Sequence, residues 1–281
     1  MTSASQMYAV AEGEVRVRKL WSTHRFATPI VTLVVTAVVF VSGGSASAAP
    51  SGNIASGEVW ADTAGSPIRA GGAGIFRVGS TYYWVGEDHE GQSGAPDGQY
   101  WTFRRLRCYS SADLSIWTRE SDALALQGNG DLGLNRIVER PKVLYNTASR
   151  QYVMYMHLDS TDYQDARVGV ATSPIPCGPY TYRGGFRPLG NDSRDISLFK
   201  DTDGIGYLVS STSGNKDLVI YRLAADYLST EREVTRFTDG SREAPAMTRV
   251  NGTYFLITSG TSYWDPNMQK YNREVTGGSM V

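Results

Sequence analysis

Between residues 70 and 260 apolar and polar positions alternate in short runs with a period of two, and the runs come in pairs separated by turn residues. Four stretches repeat one plan of a short motif, a β-run, a tight turn and a second β-run. They are AGGAGIFRVGSTYYWVGE, ending at Glu87, ERPKVLYNTASRQYVMYMH from Glu139, SRDISLFKDTDGIGYLVSS from Ser193, and SREAPAMTRVNGTYFLITS from Ser241. Their second runs begin near Tyr82, Tyr152, Tyr207 and Tyr254, a spacing of about 47 to 70 residues that suits propeller blades. One such unit cannot bury both faces of its sheet, so the units must stack radially, with the first strand of each lining a central channel.

The local signals agree with that plan. In QYVMYMH a period of two sends Tyr152, Met154 and Met156 to one face and Val153, Tyr155 and His157 to the other. Asp203-Gly204 and Asn251-Gly252 are hairpin turns between apolar runs, and Thr147 to Arg150 makes another. The first blade is expected over Gly71 to about Asp122, with RRLRCYSS as its third strand and Leu114 and Trp117 packing in the turn that follows. The only helical stretch is a short one around Ala224 to Leu228, which disfavours a wound α/β fold. The segment Ser51 to Ala70 leads into the first blade and is expected to supply a closing strand. The fourth unit is followed only by GTSYWDPNMQKYNREVTGGSMV, too little for a whole further blade, so the expectation is an all-β, five-bladed propeller whose last blade is incomplete at the C-terminal end.

The first 48 residues carry a different signal. Arg16, Arg18, Lys19, His24 and Arg25 precede an apolar run from Ile30 to Val41, and small residues with Ala46 and Ala48 in an A-x-A pattern follow, as in a secretory signal peptide. The run is short for a membrane span. The expected organisation is therefore a signal peptide over 1–48 and one domain over 49–281, secreted, extracellular, monomeric and away from the membrane once cleaved. The domain's composition, 11% aromatic overall with 30 Gly, fits an all-β class.

Charge narrows the partners. With 27 basic against 28 acidic residues, nothing suggests electrostatic capture of nucleic acid or of an anionic membrane, and a neutral substrate fits better. No C-x-x-C, H-E-x-x-H or EF-hand pattern occurs, so no metal and no cofactor is expected. A disulfide between Cys108 and Cys177 is permitted in an exported domain, but two positions in different repeats do not establish one.

Three of the four repeat motifs carry an acid: Glu139, Asp195 and Glu243. A lone acid before a strand is usually a solvated turn residue. Three at equivalent positions of a toroid converge on the central channel, which brings together carboxylates distant in sequence. Arg140, Arg194 and Arg242 each neighbour one of these acids and read as ion-pairing residues that fix geometry. His89 and His157 read as structural or surface residues, and Trp60, Trp84, Trp101 and Trp117 as packing.

The motifs E-R-P-K-V at Glu139, S-R-D at Ser193 to Asp195 and R-E-A-P-A-M at Arg242 to Met247 resemble glycoside hydrolase family 43, and more closely its exo-β-1,3-galactanase branch. YYWVGE, YVMYMH, GVATSPIPCGPY and W-x-P-N at Trp264 to Asn267 extend the resemblance over Gly71 to Asn267. It implies a five-bladed propeller with an inverting glycosidase site at the centre of one face and a polysaccharide or oligosaccharide substrate. It further implies Glu243 as general acid, Asp195 as the residue that orients the acid and raises its pKa, and Glu139 as a carboxylate contacting the terminal galactose. Glu87, Tyr163, Asn215, Thr261 and Trp264 are the candidates for binding sugar hydroxyls or stacking on a pyranose face. Most of the family places an aspartate base on the first inner strand, where this chain has Ala73-Gly74-Ile75. The galactanase branch shares that absence, which implies that a glutamine from the final blade, or the ERPK glutamate, holds the water. The matching glutamine would fall beyond Val281. The alternatives are an arabinofuranosidase or xylosidase of the same family, which would want that first-strand aspartate, and a non-catalytic carbohydrate-binding propeller.

Overall fold

A computed structural model describes residues 52, 54, 58–88, 102–261 and 272–275. Residues 1–48, read as a signal peptide in the sequence, and His89, Trp101 and Trp264 lie outside the described residues.

The described chain is built from antiparallel strands, with helix confined to two short 3-10 turns at Gly130–Leu132 and Pro188–Gly190. The first sheet holds β1 (Gly71–Val78), β2 (Thr81–Asp88), β3 (Arg105–Ser111) and β4 (Thr118–Ala125) in sequence order. The second holds β5 (Arg136–Asn146), β6 (Gln151–Ser160), β7 (Arg167–Ser173) and β8 (Thr181–Phe186). The third is β9 (Ile196–Lys200), β10 (Gly206–Thr212), β11 (Asp217–Leu223) and β12 (Thr230–Phe237). The fourth is β13 (Arg242–Val250), β14 (Thr253–Gly260) and β15 (Asn272–Val275). The first strands are neighbours in turn, β1 against β5, β5 against β9 and β9 against β13, the relation that propeller blades adopt.

Each second strand begins one residue before the tyrosine that marked its repeat. The hairpins follow their turn chemistry. Asn251 and Gly252 both take positive φ, 50 and 85 degrees, as a two-residue turn of the primed type requires. In the third blade Gly204 takes φ 86 degrees, and its N–H closes the turn on Asp201 O at 3.0 Å.

Alternation decides how the sheets stack. Tyr152, Met154 and Met156 of β6 pack into a layer with Val85, Leu106 and Leu124 of the first sheet. Val153 and Tyr155, pointing the other way, pack with Ile196, Leu208, Val219 and Tyr221 of the third. Tyr207 and Val209 of β10 join Leu256 of β14 in the next layer. Burying side chains as completely as Met154 and Met156 contributes roughly 1.5–3 kcal/mol each. A fourth cluster, Trp117, Tyr109 and Ala70 with Trp60 and Trp84 against them, lies beneath the first blade, with Trp84 and Trp117 edge to face at 5.1 Å.

Two expectations need correction, and three strands have no counterpart in the sequence reading. The fourth strands β4, β8 and β12 were not legible, because outermost strands such as β4 and β8 are largely exposed or half-exposed and carry no apolar alternation. Ala224 to Leu228 forms a turn instead of a helix, closed by Tyr227 N–H to Ala224 O at 2.9 Å with Tyr227 at φ 63 degrees. Within residues 58–70 the leading segment forms no strand, only an isolated bridge of Ala61 with Pro67.

Cys108 of β3 and Cys177, after β7, form a disulfide that joins the first two blades across a sequence separation of 69. Closing so long a loop restricts the unfolded chain, so replacing both cysteines by alanine should cost about 2–4 kcal/mol. Denaturant unfolding of wild type and the double variant measures it. A loss below half a kcal/mol would show that the bridge is incidental.

Candidate active site

Three of the four inner strands carry the same local device. The pairing register shifts between Gly71 and Gly74 in β1, Glu139 and Lys142 in β5, and Glu243 and Ala246 in β13. Each is a bulge that leaves two residues out of the ladder and re-aims the chain at its end. The first bulged residue is left-handed every time: Gly72 at φ 55, Arg140 at 54 and Ala244 at 48 degrees. For Arg140 and Ala244 this conformation costs about 1–2 kcal/mol relative to a right-handed one, so something must hold them there.

Carboxylates of other strands do so. Arg140 N–H donates to Glu87 Oε1 at 2.7 Å, and Ala244 N–H donates to Asp195 Oδ2 at 2.7 Å. The other oxygen of Asp195 pairs with Arg140 Nε at 2.5 Å, so one aspartate from the third blade ties the second to the fourth. Asp195 is itself fixed by Ser211, whose N–H donates to Asp195 O at 2.9 Å and whose hydroxyl donates to Arg242 O at 3.0 Å.

Arg140 is the electrostatic centre. Burial opposes its charge, but Asp195, Glu87, Glu139 and Glu243 together raise its pKa, so all four carboxylates lie close enough for their fields to act on one guanidinium. The structure thus gathers Glu139, Asp195, Glu243 and Glu87 around Arg140. Glu243 is held above the usual carboxylate range, first by burial and then by the negative charge of Asp195, with Arg140 pulling the other way. Lys142, also from β5, donates to Gly72 O at 2.8 Å and to Arg140 O at 3.3 Å, joining the first two bulges. Burial and the Arg140 charge push its pKa below the usual lysine value, against Glu87 and Asp195.

Glu139 is held from two sides. Tyr163 donates to its Oε1 at 2.9 Å, and His157, its partner across the β5–β6 ladder, lies 3.2 Å from its Oε2. Tyr163 has φ 55 degrees, and its carbonyl accepts from Arg194 at 3.0 Å. The pairing readings of Arg140 and Arg194 therefore differ in outcome: Arg140 binds its acid across blades, whereas Arg194 braces a loop. His157 is fully buried, not a surface residue.

The remaining candidates are placed as follows. Asn215, at φ 66 degrees in the turn between β10 and β11, has a buried Oδ1 that no protein group meets. Thr261 is exposed, one residue beyond Gly260, which pairs with Arg242. Among the described residues no cluster of three acidic, histidine or cysteine side chains is arranged to hold a metal ion. Ser211 and Asp159 were missed in the sequence because a serine or aspartate inside an alternating strand looks like any polar position.

Comparison with known proteins now decides the lineage. The model of Glycosyl hydrolases family 43 matches residues 69–278. The chain belongs to this family. Among solved structures, the exo-β-1,3-galactanase of Phanerochaete chrysosporium with galactose is 45% identical at a TM-score of 0.72, over 76% of this chain and 49% of that one. The exo-β-1,3-galactanase of Clostridium thermocellum is 36% identical at 0.70, over 76% and 47%. A family 43 β-1,3-galactosidase with galactodeoxynojirimycin is 35% identical at 0.73, over 81% and 78%. The chain thus spans about half the length of the two galactanases. No match was found among curated proteins.

The bulge of the first blade is filled by a carboxylate from its own second strand. A Cβ on Gly72 would lie 1.9 Å from Glu87 Oε1 and 3.2 Å from Arg140 N, so in this blade the carboxylate comes from the second strand and fills the space. Gly72→Ala should therefore cost about 1–3 kcal/mol in denaturant unfolding, clearly more than Gly79→Ala, which is also left-handed but opens on empty space. Equal costs would show that Glu87 does not depend on that glycine.

Proposed function

We propose that the chain is a secreted, inverting exo-β-1,3-galactanase that removes galactose from the end of a β-1,3-galactan. The observation that carries this reading is the pair Asp195 and Glu243. A carboxyl donates a proton at neutral pH only if its site keeps it protonated, and Glu243 sits half-covered beside a like charge that is itself locked to Arg140 and to the Ala244 N–H. The galactose-bound and galactotriose-bound relatives support the sugar and the linkage. The second-strand origin of the first blade's carboxylate speaks against an arabinofuranosidase or xylosidase.

In this reading Glu243 gives its proton to the glycosidic oxygen as the bond to the anomeric carbon breaks, a water adds to that carbon from the opposite face and loses its second proton to solvent, and solvent reprotonates Glu243. Asp195, locked to Arg140 and the Ala244 N–H, keeps the acid's pKa high. Glu139, fixed by Tyr163 and His157, binds the terminal galactose, and Glu87, Asn215 and Thr261 offer further hydroxyl contacts. Trp264 is kept as a candidate stacking residue. A fifth blade completing the ring, a cleaved leader over 1–48 and a monomeric state belong to the same proposal.

Hydrolysis of β-1,3-galactotriose followed by proton NMR should show galactose released first as the α-anomer, and Glu243→Gln should lower kcat/KM by at least about 100-fold. Release of the β-anomer would overturn inversion, and binding without any release would favour a carbohydrate-binding role. The pH profile tests the division of labour. Activity should fall as pH rises through the pKa of Glu243, and because Asp195 raises that pKa, Asp195→Asn should move this basic limb to lower pH. A limb that stays in place would remove Asp195 from the role.

A further inference from the structure

His157 is a buried ionisable group beside the acids, and its hold on Glu139 depends on a charge that the mechanism above leaves open. It sits on β6 with 1% of its surface exposed. Its Nδ1 lies 3.2 Å from Glu139 Oε2 and its Nε2 lies 2.8 Å from Asp159 Oδ2. A neutral imidazole has one donor and one acceptor, and an ionised carboxylate only accepts, so a ring facing a carboxylate at each nitrogen satisfies both only as the cation. Asp159 is fixed as an acceptor independently. Its other oxygen takes the N–H groups of Ser160, Asp165 and Ala166 at 2.9, 2.9 and 3.0 Å. Glu139 is likewise committed on its far side, where Oε1 accepts from Tyr163 at 2.9 Å.

We propose that His157 is a positioning residue, which as an imidazolium holds the Glu139 carboxylate in place and aims its remaining lone pairs at the sugar. The inference rests on the glycosidase reading of the site and deepens it, because it supplies the reason that one of four neighbouring carboxylates is held in a fixed orientation. The groups that face the ring are Glu139 from β5, Asp159 from β6 itself and Tyr163 from the following loop, whose ring centroid is 6.0 Å away. On the third side β7 sets the uncharged Val168 opposite His157, while the preceding residue, Arg167, is paired with Asp165 and Asp131. Burial alone would lower the pKa of this histidine, but the hydrogen bonds to Asp159 and Glu139 outweigh it and raise it to about 9. Asp159 moves down for the complementary reason, its hydrogen bonds exceeding the effect of its burial.

The chain has three histidines, which makes the ring accessible to spectroscopy. In the full chain labelled with nitrogen-15 histidine, at pH 8, His157 should give the signature of an imidazolium with two N–H protons, identified by its loss in His157→Gln. Asp159→Asn should return it to a neutral ring at the same pH. Kinetically, His157→Gln should lower kcat/KM for β-1,3-galactotriose by about tenfold or more, and the same substitution in a Glu139→Gln background should cost nothing further. A neutral His157 at pH 8, or losses that simply multiply in the double variant, would overturn the proposal. If His157→Gln fails to fold, the Asp159→Asn spectrum decides in its place. Absence of galactose release by wild type would instead sink the hydrolase reading, with the charge of His157 still settled by its spectrum.

Discussion

A guanidinium surrounded by carboxylates is the constraint on which the site depends. Four acids from different blades would repel one another in a partly buried site, and the sheets would relax by spreading them apart. Arg140 prevents that. Its side chain pairs with Asp195, its backbone N–H is taken by Glu87, and the fields of Glu139 and Glu243 act on the same charge. Breaking a pair of this kind leaves an uncompensated charge in a dry place, which is far more costly than never having built it. The arginine therefore does two things at once: it makes the cluster tolerable, and by absorbing most of Asp195's charge on one side it leaves Glu243 to feel burial and residual repulsion on the other.

The geometry that makes this possible lies in the backbone. Alternation within β6 and β10 glues successive sheets through apolar layers on both faces, which fixes the radial order of the blades. The bulges in β1, β5 and β13 then act at one end of that frame, turning the motif residues out of the ladder toward the axis. Each bulge has a left-handed residue that drops out of the strand ladder. For Arg140 and Ala244 the partner of the N–H is an acid from another sheet, so the strain of one blade is relieved by the charge of another. Cooperation between blades is thereby built into the site.

Much of this was legible in the sequence, for identifiable reasons. The four repeats, their hairpin turns and their second strands announced themselves through period-two alternation and through Asn-Gly and Asp-Gly signals. Glu139, Asp195 and Glu243 stood out because repeats make equivalent positions comparable. Arg140, visible as a neighbour of Glu139, bonds Asp195 instead, a connection that exists only in space. His157 looked inert because a histidine ending an alternating run resembles packing, and its two carboxylate partners lie on a neighbouring strand and two residues on. Glu87 was named, yet its place as the first blade's contribution was hidden by pairing, since only the register sets it opposite Gly71. The fourth strands escaped notice because an edge facing water carries no periodic signature.

The repeated bulge has a consequence for how such a site diversifies. Because the direction of each inward residue is set by main-chain geometry, the identity of the side chain at positions 139 and 243 is largely independent of the scaffold that presents it. Chemistry can drift at these addresses while the frame persists, provided that a counter-charge still reaches the axis. The positions least free to vary are then the quiet ones, Gly72, Arg140 and Ala244, whose task is to leave room, carry charge or bend.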